Sequence, residues 1–191
     1  MDEVAALAAV SKQTVYKNFA DKERLFSEIV LATTDQIDEM VRMVSATLTD
    51  TDDLEKDLEK DLAELARQFI TTLMRPEMLR LRRLIIANAE RFPELGRTWY
   101  EQGFERVFAT VADRFQRLAD QRLLRVDDPL LAANHFFGLL LWIPVNRAMF
   151  TGSDRDSSVA DLERYTGATV RVFLAAYGPT APSGVTGDPR A

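Results

Sequence analysis

Cysteine is absent from the 191-residue chain, which excludes disulfides, thiolate metal sites and thiol redox chemistry and fits a reducing compartment. Histidine occurs once, at His135. A di-iron bundle would need Glu-x-x-His pairs, and the residue three before His135 is Ala132. Serine hydrolase chemistry would have to draw on the same histidine, which has no nucleophile motif around it. Gly-rich phosphate loops are also missing. No catalytic residue, metal or cofactor is therefore expected, the chain does not read as an enzyme, and His135 reads as a helix-interface residue. The N-terminus lacks the basic region of a secretory leader, so a cytoplasmic location is expected. No strand and no internal repeat stands out. Positive charge is not in excess either: 24 Lys and Arg face 30 Asp and Glu, for a net charge of −6.

What is present is a globular composition, 47% hydrophobic and 28% charged. The apolar residues keep a 3.6-residue rhythm, which makes the expected fold class all-α. Asp21 can cap a helix running to about residue 47, with Leu25, Phe26, Ile29, Val30, Ile37, Met40, Val41 and Val44 on one face. A polar break at 49–53 follows. Asp52 and Glu55 resemble a capping box, opening a helix marked by Leu58, Leu62, Leu65, Phe69 and Leu73. Its front half, LEKDLEKDLAEL, reads as a solvated outer face. Pro76 starts the next helix, with Met78, Leu79, Leu81, Leu84, Ile85 and Ile86 expected largely buried. Arg80, Arg82 and Arg83 sit among them. They could hold an anion, but snorkelling surface cations are the commoner case.

After Pro93 a long helix is expected over 94–122, carrying Trp99, Tyr100, Phe104, Val107, Phe108, Val111 and Phe115. That stripe is mostly core, yet dense enough for the wall of a ligand cavity. Asp128-Pro129 is an N-cap followed by Pro at the first helical position. The segment it opens, PLLAANHFFGLLLWIPVNRAMF, has no polar side chain over 136–145. That apolar centre is too short to span a bilayer, and Asn134, His135, Asn146 and Arg147 bracket it, so no membrane contact is expected. A helix apolar on every face needs neighbours on every face: its own domain on one side and a second copy on the other. Gly138 would allow close approach, and Pro144 should kink the helix near Leu140. A last helix over about 157–177 is expected to bury Val159, Leu162, Tyr165, Ala168, Val172, Phe173 and Ala176. Residues 178–191, rich in Pro and Gly, are expected to be disordered.

The first 25 residues differ from the rest. Val4, Leu7, Ala8, Val15 and Phe19 recur at helical spacing on either side of a short break, the pattern of two helices sharing one seam across a tight turn. Ser11 can cap the second helix. Burying Val15 and Phe19 turns Gln13, Thr14 and Lys17 outward, with Lys12 and Tyr16 at the edges. Amides and cations on such a face can read base edges, and cations and hydroxyls can hold phosphates. From residue 11 to 22 three lysines face one acid, a local +2 that leaves −8 for the remainder. Charge is segregated into a small basic tip and an acidic body.

The run MDEVAALAAVSKQTVYKNFADKERLF resembles the helix-turn-helix and following linker of TetR-type transcriptional regulators. Val4-Ala5, Ala8-Ala9-Val10-Ser11, Thr14-Val15-Tyr16, Phe19 and Lys22-Glu23-Arg24-Leu25 match the family pattern in order. Ala9 stands where the family often has Gly, which costs roughly 1 kcal/mol if the turn is left-handed there. Asn18 replaces the commoner His or Tyr. Family members also carry a further helix ahead of the position equivalent to Met1. Its absence from this chain implies a truncated head, with Val4, Leu7 and Phe19 short of part of their cover.

By resemblance, Ser11, Thr14, Tyr16 and Lys22 would grip the phosphates of double-stranded DNA, while Lys12, Gln13 and Lys17 would approach the bases or the phosphates beside them. The resemblance divides the chain into a head at 1–25, an effector-binding and dimerisation domain at 26–177 and the tail at 178–191. It implies a homodimer, a palindromic operator and release by a small hydrophobic effector. Phe69, Met78, Ile85, Trp99, Tyr100, Phe104 and Phe108 are the expected pocket. Phe136, Phe137, Leu140, Leu141, Val172 and Phe173 are the expected dimer interface. The competing expectation is a helical ligand- or partner-binding dimer that no longer binds DNA.

Overall fold

The computed structural model describes residues 1–32, 34–48, 54–152 and 158–179, and these are all-helical with no strand among them. The expected capping box at Asp52 and the segment 180–191 lie outside the described residues. α1 (Asp2–Leu7) and α2 (Lys12–Asn18) form the N-terminal hairpin. α3 (Lys22–Leu31) opens on Asp21, whose Oδ1 accepts a 2.7 Å hydrogen bond from the Arg24 amide. α4 (Thr34–Thr47) follows as a separate helix. The single helix expected over 21–47 is therefore two.

α5 (Leu54–Leu73) leads to α6 (Pro76–Asn88) and α7 (Pro93–Tyr100), each of the latter two with proline at its first position, where the missing N–H costs nothing. The helix expected over 94–122 is interrupted. A π-helical turn, Glu101–Glu105, separates α7 from α8 (Arg106–Asp120) and carries Gly103 at its middle. α9 (Pro129–Thr151) is capped by Asp128, which accepts from the Leu131 amide at 2.9 Å, and ends at Gly152 with φ +67°. α10 (Val159–Tyr177) is capped by Ser158.

The core lies where α5, α8, α9 and α10 meet. Phe69, Phe115, Phe136, Phe137 and Phe173 are fully buried there, with Phe69–Phe137 centroids 4.2 Å apart and Phe136–Phe173 centroids 5.2 Å apart. This corrects the expected dimer interface. Phe136, Phe137, Leu140 and Phe173 face their own domain and offer no surface to a second copy. Other apolar residues of α9 do the opposite: Leu139 and Ile143 are exposed, Trp142 is 72% exposed and Phe150 87%. On α6 the expected burial holds for Leu79 and Ile85 but not for Leu84 or Ile86, which are exposed, and on α10 it holds for Phe173 but not for Val159, Val172 or Ala176, which face outward.

Taken whole, α9 has 23 residues and is long and apolar enough to cross a membrane by length and composition alone, unlike the ten-residue centre considered above. Within the fold its inner face is packed against α5, α6, α8 and α10. His135 on this helix is exposed and shares a hydrogen bond with the Tyr177 hydroxyl at 2.5 Å, pinning α9 to the end of α10. Arg125 closes the same end. Its backbone N–H donates to the Tyr177 carbonyl and its Nε to the Gly178 carbonyl, both at 2.7 Å. Gly178 is thus a buried part of the fold and not the first residue of the tail.

A second, smaller cluster joins the head to the body. Phe26 of α3 and Ile85 of α6 are its buried members, with Leu81, Phe92, Leu95 and Trp99 packed around them.

Candidate functional site

Two places carry the chemistry. The first is the outward face of α2. Val15 is 4% exposed and holds the helix from behind, while Lys12, Gln13, Thr14, Tyr16 and Lys17 all lie on its solvent side. Phe19 caps the C-terminal end of the helix in extended conformation and is half-buried. Leu7, by contrast, is 89% exposed.

Ser11 works as the helix cap: its Oγ accepts from the Thr14 amide at 3.1 Å and shares a hydrogen bond with the Thr14 hydroxyl at 2.9 Å. Ala9 adopts φ +53°, so the turn is left-handed at the position where a Cβ is unfavourable. Asn18 folds back, its amide donating to the Thr14 carbonyl at 2.8 Å, and so is spent within its own helix. Lys22 is exposed at the first turn of α3, next in the chain after α2.

Lys12 is not idle. Its ammonium sits 2.8 Å from the Asp2 carboxylate at the start of α1. The hydrogen bond and the attraction together hold the Asp2 carboxyl below its usual range and push the lysine above its own. Both groups are exposed, so the pair is a weak and salt-sensitive tether. It is also a competitor for any phosphate that approaches Lys12.

The second place is in the body. An apolar cavity of about 30 Å³, room for a single water, is lined by Phe69, Met78, Trp99 and Phe104 together with Ile37 and Gly103. Beside it, sharing Trp99 and Phe104, a groove of about 960 Å³ runs between α6, the π-turn, α8 and α9. Ile85, Trp99, Tyr100, Phe104 and Phe108 line it. All seven residues expected at a pocket therefore stand on the walls of these two adjoining spaces. The aromatic rings interlock: Trp99 meets Phe104 edge-on at 5.2 Å, and Phe108 stacks on Phe137 at 4.6 Å with an 11° tilt.

Phe137 and Leu141, expected at the dimer interface, line the groove instead, and so do Trp142, Phe150, Asn134 and Asn146 of the same helix. None of those last four was expected there, because the uniform apolarity of α9 hides which side faces which neighbour. Arg82 and Arg83 are the charged residues of the groove. Arg83 donates to the Ala148 carbonyl at 3.1 Å, tying α6 to the C-terminal half of α9. The Arg82 guanidinium lies over the Phe104 ring, 5.1 Å from its centroid, and burial lowers its pKa from the ordinary arginine value. Among the described residues no group of acids and histidines is arranged to hold a metal ion.

A small polar-faced helical hairpin beside a larger set of helices with an aromatic groove is the arrangement that the resemblance to helix-turn-helix regulators implies. The comparisons with known proteins agree. The family described as the AefR-like transcriptional repressor C-terminal domain matches residues 60–179. A putative TetR-family transcriptional regulator from Mesorhizobium loti is 51% identical, with 93% of this chain and 85% of that one covered at a TM-score of 0.80. The Flavonoid-responsive Regulator FrrA is 29% identical over 95% of this chain and 87% of its own, with a TM-score of 0.68. A TetR family transcriptional regulator from Pseudomonas syringae pv. tomato is 25% identical over 93% and 85%, with a TM-score of 0.70. No curated protein matches the chain. The chain belongs to the TetR family of transcriptional regulators, and it is a transcription factor and not an enzyme.

Proposed function

We propose that this regulator is a ligand-responsive repressor that binds a near-palindromic operator as a homodimer and leaves it when a small apolar effector fills the groove. The head at 1–25 supplies the contacts, the body at 26–177 the effector site and the dimer, and the protein acts in the cytoplasm. Lys22, Ser11, Thr14 and Tyr16 hold phosphates, and Gln13, Lys17 and Lys12 approach base edges. Two heads on one duplex need half-sites a whole number of helical turns apart.

The observation that carries the reading is the double membership of Ile85 and Trp99. Both line the groove, and both belong to the cluster that grips Phe26 on the helix leading to the head. A ligand that displaces these side chains changes the support of α3. It releases DNA only by as much as it prefers the arrangement with the wrong head spacing. The flat aromatic walls suit a planar ligand, and a flavonoid-responsive neighbour on the same fold is consistent with that shape. The partner copy fits the exposed apolar side of α9 and α10, where Leu139, Ile143 and Val172 lie, in place of the buried phenylalanines first expected. Leu141 contributes to the groove wall.

The test is a selection from random duplexes followed by a salt titration of the enriched sequence. DNA binding of this kind weakens steeply with salt, because neutralised phosphates release counterions. The exposure of Leu7 favours the competing reading, a helical dimer without DNA affinity. That reading predicts no enrichment.

A further inference from the structure

The groove has a charge of one sign. Arg82 and Arg83 stand in its wall, and no aspartate or glutamate lines it among the described residues. Arg83 is committed to the Ala148 carbonyl. The side-chain amides of Asn134 and Asn146 donate back to the Leu130 and Trp142 carbonyls of their own helix, at 2.8 and 2.7 Å. Arg82 differs. It is half-buried, stacked on Phe104, and no carboxylate pairs with it among the described residues. A desolvated guanidinium on an aromatic face keeps its fork of N–H donors for whatever enters the groove.

We propose that the groove takes an aromatic anion, its rings lying against Trp99, Phe104 and Phe108 and its carboxylate or equivalent acidic group paired with Arg82. The proposal rests on the reading of the groove as the effector site and narrows its ligand from apolar to amphipathic and acidic. The geometry favours this over a snorkelling arginine. Snorkelling carries the charged head out to water, whereas this head stays over a ring inside the groove. Burial lowers its pKa from the ordinary arginine value, because the charged form loses hydration there. A bidentate carboxylate would restore what burial removes.

Two fluorescent probes separate the parts of the claim. Anilinonaphthalene sulfonate and N-phenylnaphthylamine share their ring system, and only the first carries an anion. Each is titrated into the full chain, into Arg82→Gln and into Arg82→Lys, with circular dichroism confirming that the variants fold. The proposal predicts that Arg82→Gln weakens the sulfonate about tenfold or more and leaves the neutral probe unchanged, since a charged hydrogen bond is lost. Arg82→Lys should recover part of that loss. Gly138→Leu locates the site: a Cβ there meets open space on the groove wall, so the added side chain enters the groove and blocks both probes.

Equal losses for the two probes in Arg82→Gln, or none in either, overturn the anion. If the neutral probe binds and is blocked by Gly138→Leu, the groove survives that failure. If the wild-type chain binds neither probe, the groove reading falls with it.

Discussion

The ring of Phe26 lies 6.0 Å from the ring of Phe92, centroid to centroid, at an angle of 50°. One ring belongs to the helix that follows the N-terminal hairpin, the other to the N-cap of α7, whose far end is the groove wall. The joint between head and body is a small aromatic cluster, with the groove behind it.

Phe26→Ala should therefore do two things. Removing a buried phenylalanine costs about 3 kcal/mol, the low end for Phe→Ala because the cluster is small and can partly collapse. Urea unfolding measures that loss. The variant should also disconnect the two sites, so that filling the groove with the aromatic probe no longer alters affinity for the selected duplex. An undiminished response would place the coupling elsewhere.

Ala9→Gly is expected to help. Ala9 has φ +53°, where a Cβ is strained and glycine is not. The gain is about 0.5–1 kcal/mol, set against the greater freedom of glycine in the unfolded chain. Slower hydrogen exchange at the Thr14 and Val15 amides would report it.

Ser11→Ala should act in the opposite sense on the same helix. It removes the acceptor of the Thr14 amide and costs about 1 kcal/mol of helix stability. Duplex affinity should fall with it for all sequences alike. Lys22→Ala should also weaken all sequences alike, but with a salt slope lower by about 1, whereas Gln13→Ala should change the preferred base at one position by about 1–3 kcal/mol. Identical behaviour of the last two would refute the division between phosphate holders and base readers.

Asp2→Asn should tighten DNA binding. The Asp2 carboxylate occupies Lys12 and repels phosphates, so its neutral replacement frees the lysine and raises the salt slope. The pH dependence has the sign of a depressed carboxyl. The contribution of the pair is present above the ordinary carboxylate range and is lost as pH falls through the lowered Asp2 value. On the other side Lys12, raised by its partner, keeps its charge until pH rises past the usual lysine range. Anisotropy titrations of labelled duplex at two salt concentrations decide the matter.

Local chemistry was legible in the sequence where it is decided locally. Ser11, Asp21 and Asp128 each cap the helix expected of them, because a cap is settled by a side chain and an amide three residues on. The rings of Trp99, Phe104 and Phe108, expected on one helix, are carried by α7, the π-turn and α8 in turn and all line the groove. What escaped depends on neighbours distant in the chain. α9 is apolar on every side, so periodicity does not distinguish Phe136, buried against Phe115 and Phe173, from Trp142, which is largely exposed. The π-turn at Gly103 adjoins Ile37 of α4, 3.8 Å from where a Cβ would stand. No pattern within 94–122 announces it. Arg82 was visible as a cation among apolar residues, but its stacking on Phe104 needs the fold.

The central claim is that the outward side chains of α2, presented by two copies, hold a duplex. Anisotropy of a duplex enriched from a random pool, titrated with the chain across a salt series, tests it most directly. The account predicts saturation at two chains per duplex and a linear fall of log affinity with log salt. Failure to enrich any sequence, or binding indifferent to salt, would contradict it.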